Sequence, residues 1–335
     1  MHDMIDGFPI IDIGPYLAGD AEARTGLADS LRFALEHVGF FVLINHDVPS
    51  SLIARTFGEA QRFHHELTME EKMALRMNEH NNGYMAMSQY TIVTSGINDN
   101  DQPDLNEAFF IKRERSAGDP LRLSGRRFVG ENLWPPKLVD FKANVLEYTD
   151  TVDQLARRML PALAQALDLT PTYFDAAFAQ SQFSFRLSHY PRVNAQPNQF
   201  GIAPHTDANF MTFLAQTDVP GLEVRMPDGE WRPVPYLPNS FAVNSGDMLH
   251  RWTNGRLKST PHRALPPTKQ ARYAIPFFLG PHIDTVIECL PTCQSPDHPA
   301  RFDPITYDAY LHWWYDTNYN AAAQDDLNMA ASGDD

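Results

Sequence analysis

The sequence predicts an α+β, mainly β fold. It has a jelly roll (double-stranded β-helix) core, N-terminal helices before it and a long helix packed on it. Up to residue 181, apolar side chains recur at the three- and four-residue spacing of helices, whereas from residue 182 they alternate along short segments. About eight or nine such segments, separated by turn residues such as Pro227-Asp228-Gly229, are typical of a sandwich or jelly roll.

Size and charge restrict the function. The chain has 335 residues and a formal net charge of −15, from 27 basic and 42 acidic side chains. An acidic chain without a basic run is not expected to bind nucleic acid or an anionic membrane. No apolar run reaches the roughly 20 residues that span a bilayer, and the first residues do not resemble a signal peptide.

The chain has two cysteines, Cys289 and Cys293. Two cysteines imply no disulfide framework, so we expect a cytoplasmic protein. We interpret this C-x-x-x-C pair as loop or core residues rather than as a metal or redox site, because no further cysteine accompanies it.

Three motifs in the N-terminal region predict where a helix begins or is interrupted. Thr68 and Glu71 have the spacing of a capping box. Lys137–Leu167 is the longest helical pattern, and Pro161 is expected to kink or divide it. Thr170-Pro171 predicts the start of a short helix that ends near Ala179. The other predicted elements are a strand over Phe8–Ile13, a helix over Ala21–Val38, a strand over Phe40–Ile44, a helix capped by Ser50 or Ser51 and a strand over Glu107–Arg113.

Residues 78–106 have a different composition. They are rich in Asn, Asp, Ser and Gly and lack periodicity. Long segments of this kind are usually functional loops or disordered. Tyr84, Met85, Met87 and Tyr90 are interleaved there and argue against simple disorder, so we predict a lid over a pocket.

The second half of the chain is predicted to be a single jelly roll. We divide the chain into an N-terminal region (1–181), the core (182–290), a C-terminal helical segment (291–320) and a disordered tail (321–335), in one structural unit. The predicted strands are Phe183–Tyr190, His205–Gln216, Leu222–Arg225, Trp231–Val234, Phe241–Asn244, Met248–Trp252, Lys258–Ala264, Arg272–Leu279 and Ile283–Glu288, with a helix around Tyr307–Tyr315.

A metal site is predicted on one of these strands. His205 and Asp207 are two residues apart, which in a strand places both side chains on one face. With His262 on a later strand they form two histidines and one carboxylate, the ligand set of non-haem Fe(II) oxygenases. Zinc hydrolases use the same ligand types, but they need a general base such as a nearby glutamate, and the HTDANF segment has none.

Arg272 follows His262 by ten residues. A guanidinium on a neighbouring strand can bind a carboxylate through two hydrogen bonds. A strand-end arginine that faces solvent would explain the same residue, and from its position alone that is the better explanation.

Motifs along the chain carry a resemblance to a known family. In chain order they are FPIIDI, GFFVLINHDVP (Gly39–Pro49), LTMEEK, HYP (His189–Pro191), HTDANFMTFLAQ, VPGLEV (Val219–Val224), NSGDML (Asn244–Leu249), STPHR (Ser259–Arg263) and RYAIPFF. With these motifs the chain resembles the isopenicillin-N-synthase-like family of Fe(II)/2-oxoglutarate-dependent dioxygenases. The resemblance extends from about residue 8 to residue 315 and is specific to the family rather than to one member.

The resemblance implies roles for five residues. His205, Asp207 and His262 match the iron ligands. Arg272 matches the arginine that pairs with the distal carboxylate of 2-oxoglutarate, and Tyr190 matches a tyrosine that hydrogen-bonds to the same carboxylate.

The chain departs from the family at two positions. Ala274 replaces a serine that shares the distal carboxylate, and Ser188 replaces a common asparagine. One lost neutral hydrogen bond costs about 0.5–1.5 kcal/mol. The charge-assisted contact of the arginine outweighs that loss, so we still expect 2-oxoglutarate to bind.

The predicted function is that of a non-haem Fe(II) oxygenase. It would couple oxidative decarboxylation of 2-oxoglutarate, to succinate and CO2, to the O2-dependent hydroxylation, desaturation or cyclisation of a small organic substrate. Two alternatives stay open: a 2-oxoglutarate-independent Fe(II) oxidase on the same scaffold, which Ala274 favours, and a non-catalytic jelly-roll binding protein.

The substrate pocket is predicted from five residues, which are Tyr84, Met85, Asn106, Phe110 and Phe213. The first two lie in the predicted lid, and the next two enter the strand after it. Phe213 is chosen because odd-numbered residues of one strand would share the face of His205. Core packing explains either phenylalanine equally well, and nothing in the sequence indicates an oligomeric state.

Overall fold

The computed structural model describes residues 2–20, 22–88 and 102–318. The middle of the predicted lid, 89–101, and the predicted disordered tail, 321–335, lie outside these residues. The helices are α1 (Gly14–Leu17), α2 (Ala23–His37), α3 (Ser50–Glu66), α4 (Met69–Ala74), α5 (Pro120–Leu123), α6 (Phe141–Ala166), α7 (Asp175–Phe178), α8 (Asp247–Trp252) and α9 (residues 307–318). The strands are β1 (Met4–Ile5), β2 (Phe8–Asp12), β3 (Phe40–Ile44), β4 (Gly83–Met85), β5 (Glu107–Lys112), β6 (Gln182–Tyr190), β7 (Ile202–His205), β8 (Met211–Gln216), β9 (Leu222–Arg225), β10 (Trp231–Pro233), β11 (Phe241–Ser245), β12 (His262–Ala264), β13 (Arg272–Gly280), β14 (Val286–Ile287) and β15 (Ile305–Thr306).

Two sheets form the core, as the sequence predicts. In the described part of the chain, the larger has nine strands in the order β1-β2-β3-β11-β8-β13-β6-β5-β4, and the smaller has the order β10-β9-β12-β7. Side chains from both sheets pack together, for example Phe40 and Ala242 of the large sheet with Leu222 and Val224 of the small one. The jelly roll is thereby confirmed. The large sheet contains strands β1–β5, from the predicted N-terminal region, together with strands from the predicted core.

The helices cover the other face of the large sheet. Leu31 of α2, Phe63 of α3 and Val152 of α6 belong to one buried cluster with Phe213 and Ile275 of the sheet. The large sheet therefore separates a helix-covered face from the face that it presents to the small sheet.

Of the two effects predicted for Pro161, a kink or a division, the division does not occur, because helix α6 continues through this residue. A proline inside a helix costs about 3 kcal/mol, because it removes a donor and clashes with the preceding turn. Met159, Leu160 and Leu163 are buried on both sides of Pro161. Their packing holds the helix together at a position where local preference alone would break it.

The predicted strand His205–Gln216 is in fact two strands. Strand β7 ends at His205 in the small sheet, and β8 begins at Met211 in the large sheet. Residues 206–210 connect the two sheets. The sequence does not reveal such a crossing, because no glycine or proline between His205 and Gln216 marks a break in the strand.

Three further predictions need correction. Met248–Trp252 lies in helix α8 and not in a strand, and Asp247 in its first turn suits the helix dipole. The helix after Thr170 begins only at Asp175. Helix α3 has Pro49 at its N-cap and no side-chain cap from a serine. The capping box at α4 is confirmed, with Glu71 N donating to Thr68 Oγ1 at 3.2 Å.

Within the described ranges, none of the helices combines the length and the apolar character that crossing a membrane requires.

Candidate metal centre and adjoining cavities

Two histidines face each other across the small sheet. His205, at the end of β7, and His262, at the start of β12, are directly paired in the register of these antiparallel strands. Their ring centroids are 4.3 Å apart. Both residues are buried, with exposed fractions of 8% each, so water competes little for the ring nitrogens.

Backbone carbonyls determine the tautomer of both rings. His205 Nδ1 lies 2.8 Å from the carbonyl oxygen of Ala203, and His262 Nδ1 lies 3.2 Å from that of Thr260. A carbonyl oxygen can only accept, so each Nδ1 carries the proton and donates. Each Nε2 is then left with a lone pair, as a metal ligand requires.

Asp207 completes the group from the segment that connects the two sheets. Its Oδ1 lies 3.8 Å from His205 Nε2 and 3.6 Å from His262 Nε2. Its Oδ2 accepts hydrogen bonds from Thr212 Oγ1 at 2.6 Å and Asn244 Nδ2 at 2.8 Å. One carboxylate oxygen is thus held by the protein, and the other points at the two histidines.

The ionised carboxylate of Asp207 gives the triad a negative charge that attracts a positive one. Burial lowers the pKa of His205 to about 3, with a further contribution from the neighbouring His262, so this ring is neutral. Burial alone would raise the pKa of Asp207, but the two histidines and Asn244 outweigh it, and the pKa lies well below its usual range. For His262, burial lowers the pKa, but the adjacent carboxylate of Asp207 and the hydrogen bonds to the ring outweigh burial and raise it.

Arg272 is buried beside the small sheet, not exposed at a strand end. It is 1% exposed and faces Tyr190 across the β13–β6 pair. Its guanidinium carbon lies 4.9 Å from the centre of the Tyr190 ring. Among the described residues, Tyr190 interacts with the charge of Arg272 but no carboxylate does, and the Nε of Arg272 has no hydrogen-bond partner.

Two cavities meet at the triad. The Arg272 cavity extends from the triad to Arg272 and Tyr190. The α9 cavity extends from His205 and Asp207 to the side chains of helix α9. Each holds about 560 Å³ of empty space when its opening to solvent is included. The triad therefore has space for one molecule on each side.

Comparison with known proteins identifies the family. A 2-oxoglutarate-Fe(II) type oxidoreductase of Emericella nidulans is 33% identical over 323 residues, which cover 94% of this chain and 91% of the relative. The chain belongs to the 2-oxoglutarate-Fe(II) oxygenase superfamily. The family model of that superfamily matches residues 181–281, and the model described as "non-haem dioxygenase in morphine synthesis N-terminal" matches residues 8–137.

Solved structures agree with this oxygenase fold. A full-length protein of Neurospora crassa, crystallised in complex with α-ketoglutarate (2-oxoglutarate), has a TM-score of 0.82 and 27% identity, with 94% of this chain and 98% of that chain covered. The same protein with α-ketoglutarate and thymine has a TM-score of 0.81 and 26% identity, with 96% and 98% covered. The cofactor of the oxygenase is Fe(II), its co-substrates are 2-oxoglutarate and O2, and its substrate is a small molecule.

The five residues predicted for the substrate pocket of the oxygenase separate into two groups. Met85 and Phe110 pack between the sheets in one cluster with Tyr190 and Ala274. Tyr84 and Phe213 instead lie in the helix-covered core, and neither lines the Arg272 cavity or the α9 cavity. Phe213 does not share the face of His205 because residues 206–210 interrupt the strand. Odd-numbered residues after this connection therefore need not point to the same side as His205.

Asn106 lies behind the cavity wall. Its Nδ2 donates to the carbonyl oxygen of Gly201 at 2.6 Å, and its Oδ1 accepts from Arg186 Nη2 at 2.6 Å. Asn106 thus orients Arg186, which lines both cavities. Its contribution to the site is indirect.

Sequence reasoning missed several residues of the α9 cavity. They are Ser184, Arg186, Ala208, Asn209, Phe278, Tyr307, Leu311, Trp314 and Tyr315. A signal for the last four was available, because positions 307, 311, 314 and 315 share one face of a helix. No such pattern indicates that Arg186 lines a cavity, because an arginine in a strand more often faces solvent.

A second group of candidate ligands lies on the other face of the large sheet. His64, Glu107 and His189 offer ligand atoms within 4.8 Å of one another. Lys72 Nζ lies 3.1 Å from Glu107 Oε2 and already supplies a positive charge. None of the three residues lines either cavity. We therefore interpret this group as a buried polar network that ties helices α3 and α4 to strands β5 and β6.

Proposed function

We propose that His205, Asp207 and His262 bind Fe(II), and that Arg272 and Tyr190 bind the distal carboxylate of 2-oxoglutarate. The enzyme then hydroxylates, desaturates or cyclises a small organic substrate in the α9 cavity. The single observation that carries this proposal is Arg272, a buried guanidinium without an acidic partner among the described residues, at the end of a cavity that begins at the triad.

The donor set fits Fe(II). Two imidazole nitrogens and one carboxylate oxygen on one side leave coordination positions for a bidentate keto acid and for O2, as in the facial triad of non-haem iron oxygenases. The carbonyls of Ala203 and Thr260 fix the rings, and Thr212 and Asn244 fix the carboxylate. Such supporting hydrogen bonds hold metal ligands in orientation.

The Arg272 cavity fits 2-oxoglutarate. Its lining includes apolar side chains such as Ile202, Leu214 and Leu222. A five-carbon diacid has an apolar centre and one charged group at each end. Arg272 would receive one carboxylate, and the triad would receive the 2-oxo acid.

Ser188 offers a further hydrogen bond in this cavity. It lines the cavity, faces Ala274 across the β6–β13 pair and is fully buried. Its Oγ has no hydrogen-bond partner among the described residues. A buried unpaired hydroxyl is costly, so a bound carboxylate would satisfy a group that the fold leaves open. Ser188 thereby offers the hydroxyl that Ala274 lacks.

The chemistry follows from this arrangement. When bound, Fe(II) supplies the redox chemistry by which O2 converts 2-oxoglutarate to succinate and CO2 and oxidises a C–H bond of the substrate. The protein orients both molecules at the triad, and the buried walls of the two cavities exclude water. Arg272 holds the co-substrate by its remote end, which leaves its reacting end free to face the triad.

Succinate release with and without substrate tests the proposal. His205→Ala, Asp207→Ala and His262→Ala should each abolish 2-oxoglutarate turnover while the melting temperature stays within a few degrees. His37→Ala, an exposed residue on α2, is the matched control and should keep full turnover. Arg272→Ala should mainly raise the concentration of 2-oxoglutarate that is needed. Turnover retained in any triad variant would show that the ligands are assigned wrongly.

We also place the oxygenase in a reducing cytoplasm. Cys289 and Cys293 are both buried free thiols, which supports that location.

A further inference from the structure

The α9 cavity has aromatic walls. Five of its twelve described lining residues are phenylalanine, tyrosine or tryptophan, and five such rings around one space favour a flat ligand that packs against their faces or edges. They are Phe110, Phe278, Tyr307, Trp314 and Tyr315.

Helix α9 brings three of these rings to the cavity. Tyr307, Trp314 and Tyr315, together with Leu311, lie on one face of the helix and line the cavity. Each of these four side chains is less than 10% exposed. The cavity wall is therefore a packed surface of fixed shape rather than a solvent-exposed patch.

Arg186 supplies a positive charge at the end of the cavity near the triad. It is the one lysine or arginine among the described residues that line this space, and it is 5% exposed. It belongs to the middle of strand β6 and is paired with Phe110 of β5. Its guanidinium carbon lies 5.1 Å from the centre of the Phe110 ring.

The guanidinium of Arg186 is held in a fixed orientation. Its Nη2 donates to Asn106 Oδ1 at 2.6 Å, and Asn106 is itself fixed by the carbonyl oxygen of Gly201. A planar guanidinium held in this way loses little freedom when it binds a planar carboxylate. The apolar surroundings strengthen such a pair, because they exclude competing water.

We propose that the primary substrate is a flat ring compound that carries a carboxylate. The carboxylate pairs with Arg186, and the ring lies among the aromatic side chains of the α9 cavity, with a C–H bond toward the triad. This inference rests on the proposed function, because it assigns the α9 cavity to the substrate and the Arg272 cavity to 2-oxoglutarate.

Substrate-stimulated succinate release from the wild-type enzyme tests the substrate class. The panel contains aromatic carboxylates of one and two rings, the primary amide of each and the saturated-ring carboxylate of each. Aromatic carboxylates should stimulate release with a KM at least tenfold below that of their amides and of their saturated counterparts. Equal KM values for carboxylate and amide, or a panel in which no aromatic carboxylate stimulates release, would overturn the inference.

Two variants test the part played by Arg186. Arg186→Gln should raise the KM of the carboxylates at least tenfold and change that of the amides less than threefold, so that the preference disappears. Arg186→Lys keeps the charge and should restore part of the preference. A general loss of structure would raise both values together. A raised KM for the co-substrate with an unchanged carboxylate preference would assign Arg186 to 2-oxoglutarate and overturn the inference.

A spectroscopic control separates this inference from the proposed function. The Fe(II)-loaded protein should develop a visible absorption band with 2-oxoglutarate before any substrate is added. If the band is absent, the proposed function fails, and the inference fails with it. If the band forms but the carboxylate preference is missing, only the substrate class is wrong.

Discussion

His205 and His262 are direct partners in the β7–β12 strand pair, with ring centroids 4.3 Å apart. Their proximity depends on strand register. A shift of one residue would turn either ring to the opposite face of the sheet. Asp207 does not share this pairing, since it lies in the segment that crosses to the large sheet. The triad therefore requires both the register of the small sheet and the path of residues 206–210.

Asn244 should control the affinity for iron without being a ligand. It donates to Asp207 Oδ2 at 2.8 Å from strand β11. Asn244→Ala removes that hydrogen bond and lets the carboxylate rotate away from the histidines. Loss of such a supporting contact typically costs about 10–100-fold in metal affinity. We expect a loss of that size in an anaerobic Fe(II) titration.

Asn254→Ala is the matched control for this experiment. Asn254 is also buried, but its Nδ2 donates to the carbonyl oxygens of Cys293 and Pro299, outside both cavities. It should reduce stability and leave Fe(II) affinity unchanged. Equal Fe(II) affinities for the Asn244 and Asn254 variants would contradict the role given to Asn244.

Ser188 should compensate for the alanine at position 274. Ser188→Ala removes the hydroxyl that faces the Arg272 cavity. The Michaelis constant for the co-substrate should rise about twofold to tenfold, the effect of one neutral hydrogen bond. Adding Ala274→Ser places a hydroxyl on the opposite strand and should restore most of the lost affinity. An unchanged Michaelis constant in Ser188→Ala would remove this residue from the co-substrate site.

Glu107 should contribute to stability rather than to chemistry. It pairs with Lys72 Nζ at 3.1 Å and His189 Nδ1 at 2.7 Å, and the hydroxyl of Tyr84 donates to it. Glu107→Gln leaves the buried ammonium of Lys72 without its counter-ion, so the free energy of unfolding should fall by about 3 kcal/mol. Urea denaturation measures the change.

The exposed pair of Arg55 and Glu147 provides the control for that measurement. Glu147 has a side-chain exposure of 58%, and exposed pairs contribute about 0–1 kcal/mol. Glu147→Gln should therefore have a much smaller effect. Comparable losses in the Glu107 and Glu147 variants would argue against a buried network.

Asp104 should make stability depend on pH. Its Oδ1 accepts from the backbone N–H of Ala203 at 2.9 Å, and burial raises its pKa from 3.8 to about 8. Between pH 3.8 and about pH 8, Asp104 is protonated in the folded protein and ionised in the unfolded chain. Its contribution to stability is therefore present below about pH 4 and is lost as pH rises to about 8.

Asp104→Asn removes this titration and so tests it. The melting temperature of the wild type, relative to that of the variant, should fall steadily from pH 5 to pH 8. Differential scanning calorimetry at three pH values would measure the difference. A difference that does not change with pH would show that Asp104 is ionised in the folded protein.

The site residues that act through an imidazole, carboxylate or guanidinium group could be predicted from the sequence. The H-x-D pair, the second histidine and Arg272 stand out because imidazole, carboxylate and guanidinium groups have few uses in apolar strands. The single strand predicted to carry both His205 and Asp207 is nevertheless wrong. They do not lie on one strand, and their proximity comes from the turn that follows β7.

Residues whose role depends on packing were less predictable. Phe213 is an apolar residue at the spacing expected of a pocket residue. It lies in the helix-covered core only because the chain crosses between the two sheets at residues 206–210. The rings of α9 show a helical period, but the sequence does not say which surface that face covers. Arg186 is identified by its surroundings, which exist only after β5, β6 and α9 have come together.

The most direct test of the central claim is an anaerobic titration of the metal-free protein with Fe(II) and then 2-oxoglutarate, followed by visible absorption. We predict a charge-transfer band that requires both additions, that is lost in His262→Ala and that needs more 2-oxoglutarate in Arg272→Ala. Fe(II) binding without a band would contradict the account, because 2-oxoglutarate would then not reach the iron held by His205, Asp207 and His262.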